Sequence, residues 1–304
     1  MRARTFVARV GRFVPVERVR DAPSGPARTG LLRLANAFLV RSPRSFGPTT
    51  VPGGFRTSGH TADMIQRHIY VFGVWEPAMS ERIARYLRPG DVCLDFGANI
   101  GYFSLLAARM VGPSGRVVAF EPVPSIVAKL RANIAANGFA NIDVQPVVAS
   151  DVDAEFEVFC GPASNSGTSG TEPVAGGASE GLVNSVVAAH AVPRELWERV
   201  RLVKIDVEGH EMRVLLGLKS LLDVLATDAA VVVEVAPGRL RSHGESAEAL
   251  MSFMTSRGFS SAVLENDYSA SFYANPHSVH PIPVTAAPTE QVDMIFVKGQ
   301  PTAG

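Results

Sequence analysis

Short apolar runs alternate with amphipathic segments along most of the chain from about residue 76 onward. The runs at 92–96, 116–121, 142–148, 201–206 and 229–235 are rich in β-branched and aromatic residues, the pattern of strands covered on both faces in a parallel sheet. Between and around them the apolar spacing predicts helices over 76–87, 102–110, 125–137, 209–222 and 246–257. Glu76-Pro77 opens the first of these, Pro89-Gly90 breaks it, and Gly138 reads as the left-handed cap of the third. Two later runs, 260–264 and 292–298, add strands. The segments 153–160 and 182–188 read as a hairpin around a Gly-, Ser- and Thr-rich loop at 161–181, which is placed to act as a lid. The expected fold class is therefore α/β, a doubly wound and mainly parallel sheet, with ligands beyond the carboxyl ends of the strands where their order switches. Residues 1–74 form a basic, irregular N-terminal extension with one helical candidate at 31–41, and 75–304 form one domain interrupted by an insertion at about 153–188.

Composition narrows the function without naming it. A chain of 304 residues with 46% apolar content builds a substantial core, and a formal charge of zero at pI 7.1 gives no reason to expect nucleic acid. The balance hides an asymmetry: residues 1–44 carry ten arginines against Glu17 and Asp21, a local charge of +8 that the remainder offsets. Arg33, Arg41 and Arg44 around the apolar face of Leu31, Leu32, Leu34, Phe38 and Leu39 suggest peripheral contact with an anionic membrane or an acidic carrier. Two cysteines, Cys93 and Cys160, make neither a disulfide framework nor a zinc pattern, and a reducing cytoplasm is the expected location.

The turn Asp95-Phe96-Gly97-Ala98-Asn99-Ile100-Gly101 joins the first strand of the regular region to a helix. A nicotinamide fingerprint needs three glycines, and Asn99 stands where the second belongs. Asp95 would welcome an ammonium group, and Glu121 at the end of the next strand can accept two ribose hydroxyls. Ribose joined to an amino acid points to S-adenosylmethionine. A second constellation, Lys204-Ile205-Asp206-Val207-Glu208-Gly209-His210-Glu211, concentrates ionisable groups where a strand meets a helix in the same cleft line. Glu234, an acid inside an apolar strand, belongs to that line too.

These stretches, with Val118-Ala119-Phe120-Glu121-Pro122, Trp75-Glu76-Pro77, Ala149-Ser150-Asp151 and Asn165-Ser166-Gly167-Thr168, resemble the FkbM-type methyltransferases from about Trp75 to Lys298. The resemblance implies a class I, Rossmann-like methyltransferase sheet with an antiparallel last strand, and S-adenosylmethionine as donor to a hydroxyl oxygen of a sugar, glycolipid or polyketide-type metabolite. Cofactor contacts are then expected at Asp95, Gly97, Ala98, Asn99, Gly101, Glu121, Ser150 and Asp151. His210 is the expected base for the acceptor hydroxyl, free or carrier-linked, with Asp206 or Glu208 orienting or replacing it. Asp206, Glu208, His210 and Glu234 could alternatively hold Mg2+. The rival readings are an NAD(P)-dependent sugar oxidoreductase and a cofactor-binding, membrane-associated protein without catalysis. The sequence leaves the acceptor and the oligomeric state open.

Overall fold

A computed structural model describes residues 16–299. The stretch ahead of Trp75, expected to be irregular with one helix, carries several ordered elements: α1 (Val16–Arg20), α2 (Pro26–Arg41), the antiparallel hairpin of β1 (Ser45–Thr50) and β2 (Arg56–His60), and α3 (Met64–Phe72). Pro52, Gly53 and Gly54, which suggested irregular chain, form the hairpin's turn, where Gly54 adopts φ 77°. Phe46, Val51 and Phe55 anchor it by burial. No alternation marks β1 and β2, because only one or two side chains per strand face inward.

The regular region follows the predicted order, with α4 (Pro77–Tyr86), β3 (Val92–Phe96), α5 (Tyr102–Val111), β4 (Arg116–Phe120), α6 (Pro124–Asn137) and β5 (Ile142–Gln145). β6 (Val148–Ser150) precedes the insertion, which contains β7 (Glu155–Cys160) and β8 (Ala178–Val187). Then come β9 (Val200–Ile205), α7 (Glu211–Gly217), α8 (Lys219–Val224), β10 (Ala230–Val235), α9 (Pro237–Ser242), α10 (Ala247–Thr255), β11 (Phe259–Leu264), α11 (Ala270–Ala274), β12 (Ile282–Pro283) and β13 (Val292–Lys298).

Eight strands form the central sheet in the order β12-β11-β13-β10-β9-β3-β4-β5. The five from β10 to β5 run parallel, and β13 enters antiparallel between β10 and β11, as expected of the last strand. The order reverses between β3 and β9, which fixes the switch point at their carboxyl ends. Alternate side chains build a core on each face: Cys93, Val117, Leu202 and Val232 pack with Leu105 and Ile83, whereas Leu94, Val118, Val203 and Val231 pack with Leu215, Leu222 and Leu250. Each such buried aliphatic side chain contributes about 2 kcal/mol, so burial on both faces fixes the register of the parallel strands.

Two predicted elements are divided. The run 142–148 is not one strand: Pro146, which has no N–H to give to a ladder, follows β5, and β6 leaves the sheet to pair in parallel with β8. The helix predicted over 209–222 starts late, because Gly209 has φ 106°, and it divides into α7 and α8 at Leu218. At Gly217 a Cβ would lie 1.9 Å from the Ser150 carbonyl oxygen, so only glycine lets α7 press against β6.

A still tighter seam joins β3 to β9. Gly97 has φ 78°, and a Cβ there would fall 1.8 Å from the Asp206 carbonyl oxygen, while the Asp206 N–H donates to the Phe96 carbonyl at 3.1 Å. Gly97→Ala is therefore expected to cost about 3 kcal/mol or more in urea unfolding, whereas Gly138→Ala, with φ 67° but open space around it, should cost only about 1 kcal/mol. Equal costs would show that the seam has room to relax.

Candidate functional site

Beyond the carboxyl ends of β3, β4, β9 and β10 lies a cavity of about 310 Å³. Gly97, Ala98, Asn99 and Ile100 form one wall, and Glu121, Lys204, Asp206, Glu208 and Glu234 project from the strand ends. The turn is held by charge-assisted bonds. Glu121 accepts the Asn99 N–H at 2.9 Å on one oxygen and the Val123 N–H at 3.0 Å on the other. Burial pushes the Glu121 carboxyl up to about 7 despite those two bonds, which pull it down. The Asn99 side chain accepts its neighbour's N–H at 2.7 Å, which supports its left-handed φ of 49°. Gly101 makes room for a neighbour within the protein, since a Cβ there would meet Leu130 at 2.5 Å. The two glycines thus answer to internal packing, and the expectation that Gly101 faces a ligand does not hold in this geometry.

Lys204 is the centre of the charge arrangement. Its buried Nζ lies 3.0 Å from Asp206 Oδ2, 3.8 Å from Asp95 Oδ1, and 5.1 Å from the centroid of the Phe103 ring. Burial alone would lower the ammonium, and Asp206, Asp95 and Glu76 outweigh it and hold it above its ordinary value. Asp95 sits beneath the wall, where Ser104 Oγ donates to it at 2.5 Å. It does not line the cavity: its Oδ2 accepts from Ser104, and its buried Oδ1 faces Lys204 without a hydrogen bond.

Acids outnumber cations around the opening. Tyr268 OH donates to Glu76 at 2.9 Å, and burial, then Asp293 and Asp206, raise the Glu76 carboxyl well above the carboxylate range. Burial and the facing acids, Asp206 first, do the same to Glu234, which accepts from Gln291 at 2.7 Å. Burial, then Asp206, lifts Asp293 to about 7. Carboxylate oxygens of Asp206, Glu208 and Glu234 come within 4.8 Å of one another. Arg239 touches Glu208 and lies 3.8 Å from Glu234. Among the described residues, the non-glycine positions with positive φ are Glu76, Asn99 and Glu208, and all three line this cavity. Such strain costs about 1–3 kcal/mol per residue and persists where surrounding structure over-determines it.

The remaining walls come from outside the sheet. Met64 and Ile65 of α3, Trp75, and Asn165 to Ser169 of the insertion close the space. The insertion loop is pinned: Asp63 accepts the Ser166 N–H at 2.6 Å, Met64 donates its N–H to Ser164 at 2.8 Å, and Ser166 Oγ donates to Asn99 at 3.3 Å. A second depression of about 240 Å³, lined by Thr168, Gly170, Glu172, Ser242 and His243, shares Thr168, Glu208 and Arg239 with the first.

Of the residues singled out from sequence, Gly97, Ala98, Asn99, Glu121, Asp206, Glu208 and Glu234 line the cavity. His210, Ser150 and Asp151 do not. The positive φ at Gly209 turns the chain so that His210 meets β6 and β7, its Nε2 lying 3.1 Å from Ser150 Oγ and its ring packing edge-on against Phe156. Burial, then the neighbouring His243 and Arg213, lowers His210 to about 4. Asp151 pairs with Arg213 at 3.2 Å. Sequence reasoning missed Glu76 as a wall residue, along with Tyr268, Arg239 and the adjacent Asp293. Asp293 carried a legible signal, an acid inside the apolar strand 292–298, the same signal that marked Glu234.

A family model described as the methyltransferase FkbM domain matches residues 95–261. AMB antimetabolite synthetase AmbE of Pseudomonas aeruginosa is 29% identical over 284 residues, covering 81% of this chain and 13% of that protein. The 31-O-demethyl-FK506 methyltransferase FkbM of Streptomyces tacrolimicus is 33% identical over 162 residues, covering 44% of this chain and 61% of its own length. The chain thus spans less than two thirds of either relative. Among solved structures, an rRNA methylase from Streptococcus thermophilus aligns with a TM-score of 0.42 at 13% identity, over 78% of this chain and 99% of that one. Met64, Trp75, Glu76, Tyr268 and Gln291, part of the cavity wall, lie outside the matched stretch.

Replacing Lys204 by methionine would strand Asp95 and Asp206 without their cation. Removing one partner of a buried charge cluster costs about 3–5 kcal/mol, so the urea midpoint of Lys204→Met should fall steeply. The loss should shrink in the double variant Lys204→Met with Asp95→Asn, and no shrinkage would mean that the two side chains act independently.

Proposed function

The chain belongs to the FkbM methyltransferase family, and we propose that it transfers a methyl group from S-adenosylmethionine to a hydroxyl oxygen of a sugar, glycolipid or polyketide-type metabolite. The acids of the cavity carry this reading. Five carboxyl groups, those of Glu76, Glu121, Asp206, Glu208 and Glu234, face it beside Lys204 and Arg239. Burial and neighbouring acids raise Glu76 and Glu234, and a sulfonium or ammonium beside them would lower them again and be held by the ionised groups, a linkage that the pyrophosphate of a nicotinamide cofactor lacks. The Asn99 N–H, which a phosphate would need, is already given to Glu121.

The residues fit the donor. A carboxylate offers about four acceptor positions, and Glu121 uses two on backbone N–H groups, leaving two for a ribose diol. Glu76, buried and strained at the wall, is the acid for the ammonium. When bound, S-adenosylmethionine supplies a methyl group activated by its sulfonium. The acceptor hydroxyl must shed a proton as it is alkylated, and a base that lines the cavity has to receive it. His210 is turned away from that space, so the role passes to Asp206, which lines it with a carboxylate oxygen within 4.8 Å of those of Glu208 and Glu234. The name of the Streptomyces tacrolimicus relative, an O-demethyl substrate's methyltransferase, supports oxygen as the target. Mg2+ does not fit the acids as they stand, because the Arg239 guanidinium sits on Glu208 and beside Glu234 and supplies the positive charge there.

Calorimetric titration should detect binding of S-adenosylmethionine and none of NADH; the reverse result would discard the proposal. Because Glu121 titrates near 7, protonated below and ionised above, donor affinity should rise as pH increases through about 7. Glu121→Gln should bind more weakly with a flatter profile, and an equally steep one would transfer the effect to another acid. With an acceptor in hand, Asp206→Asn should keep donor affinity within a few-fold and lower kcat by about 10²–10⁴, while His210→Ala stays near wild type.

A further inference from the structure

Helix α2 divides its apolar residues between two faces. Leu32 and Leu39 turn inward and are buried against α1, α3 and α11. Leu31 and Leu34 point outward with 37% and 44% of their surfaces exposed, and half-buried Phe38 continues the same i, i+3, i+7 stripe. Val40 is exposed on the flank. Arg33 and Arg41 are exposed on the same helix, which contains no acidic residue; residues 1–15 carry Arg2, Arg4, Arg9 and Arg12 without an acid, and of the two acids between, Glu17 and Asp21, the second pairs with Arg20. Three of the eight large apolar side chains exposed among the described residues therefore sit on one cationic helix.

We propose that the outer face of α2 docks on an anionic lipid bilayer, with Leu31, Leu34 and Phe38 entering the headgroup boundary and the surrounding arginines meeting lipid phosphates. Charge complementarity selects this occupant: an exposed apolar stripe that ends on Arg41, on a helix whose charged residues are all arginines, matches the two components of such a surface. Position gives the contact a use. α2 packs directly on α3, whose Met64 and Ile65 line the cavity, and on α11, just beyond Tyr268 of the same wall. Docking would bring that wall towards the bilayer, where a lipid-linked acceptor resides, while the acid-rich cavity itself takes no part in the contact.

The test is cosedimentation of the full chain with vesicles. It should bind equimolar phosphatidylglycerol and phosphatidylcholine, weaken as salt is added, and not bind phosphatidylcholine alone. The double variants Leu31→Glu with Leu34→Glu and Arg33→Glu with Arg41→Glu change exposed side chains and should each lose about tenfold or more in vesicle affinity. Both should keep the wild-type unfolding midpoint and affinity for S-adenosylmethionine. Binding that ignores lipid charge, or that survives both variants, overturns the proposal. So does absence of vesicle binding, including the case in which the chain captures an acidic carrier protein instead. Donor titration on the same samples is independent of these outcomes and judges the methyltransferase reading separately.

Discussion

A buried lysine between two aspartates is the interaction on which the site depends. Lys204 comes from β9, Asp95 from β3, and Asp206 from the loop after β9, so one cation ties together the two strands at which the sheet reverses its order. Without it the strand ends would present like charges a few ångströms apart in a poorly solvated place, where repulsion is strong. With it, the Gly97 turn can rest on the Asp206 backbone. Burial, then the facing acids, keeps the proton affinities of Glu76, Glu234 and Asp293 elevated, and burial still raises Asp95 although Lys204 pulls it down.

Strain and charge coincide at this opening. Glu76, Asn99 and Glu208 each adopt a backbone conformation that side chains disfavour, and each is held by something specific. The Glu76 N–H donates to Tyr273, the Asn99 N–H to Glu121, and Glu208 is engaged by Arg239. A carboxylate or amide is thereby aimed into the cavity from three separate loops. Folding energy stored in the sheet is spent on keeping those groups in place before any ligand arrives, which is the economy of a pre-organised site.

Much of this was legible in the sequence where periodicity and chemistry agreed. The strands β3, β4, β9, β10 and β13 and the acids Glu121, Asp206, Glu208 and Glu234 follow from apolar runs punctuated by charges. What was not legible depends on direction in space. A single glycine, Gly209, decides that Glu208 faces the cavity and His210 faces Ser150, and residue spacing cannot reveal that divergence. The end of β5 turns on Pro146, a visible signal overridden by the apolar residues on either side of it. The hairpin of β1 and β2 has too few inward side chains to show a period, and Glu76 looked like the start of a helix because in this fold it is that as well.

Asp63 illustrates how little chain is needed to join distant parts. One of its oxygens caps α3 through the Gln66 N–H at 2.9 Å, and the other receives the Ser166 N–H from a loop more than a hundred residues away. The first turn of that helix and the roof of the cavity therefore share a single carboxylate. Fraying at one would release the other, so the segment before the sheet and the insertion within it should open as one cooperative unit, with an exchange lifetime in common.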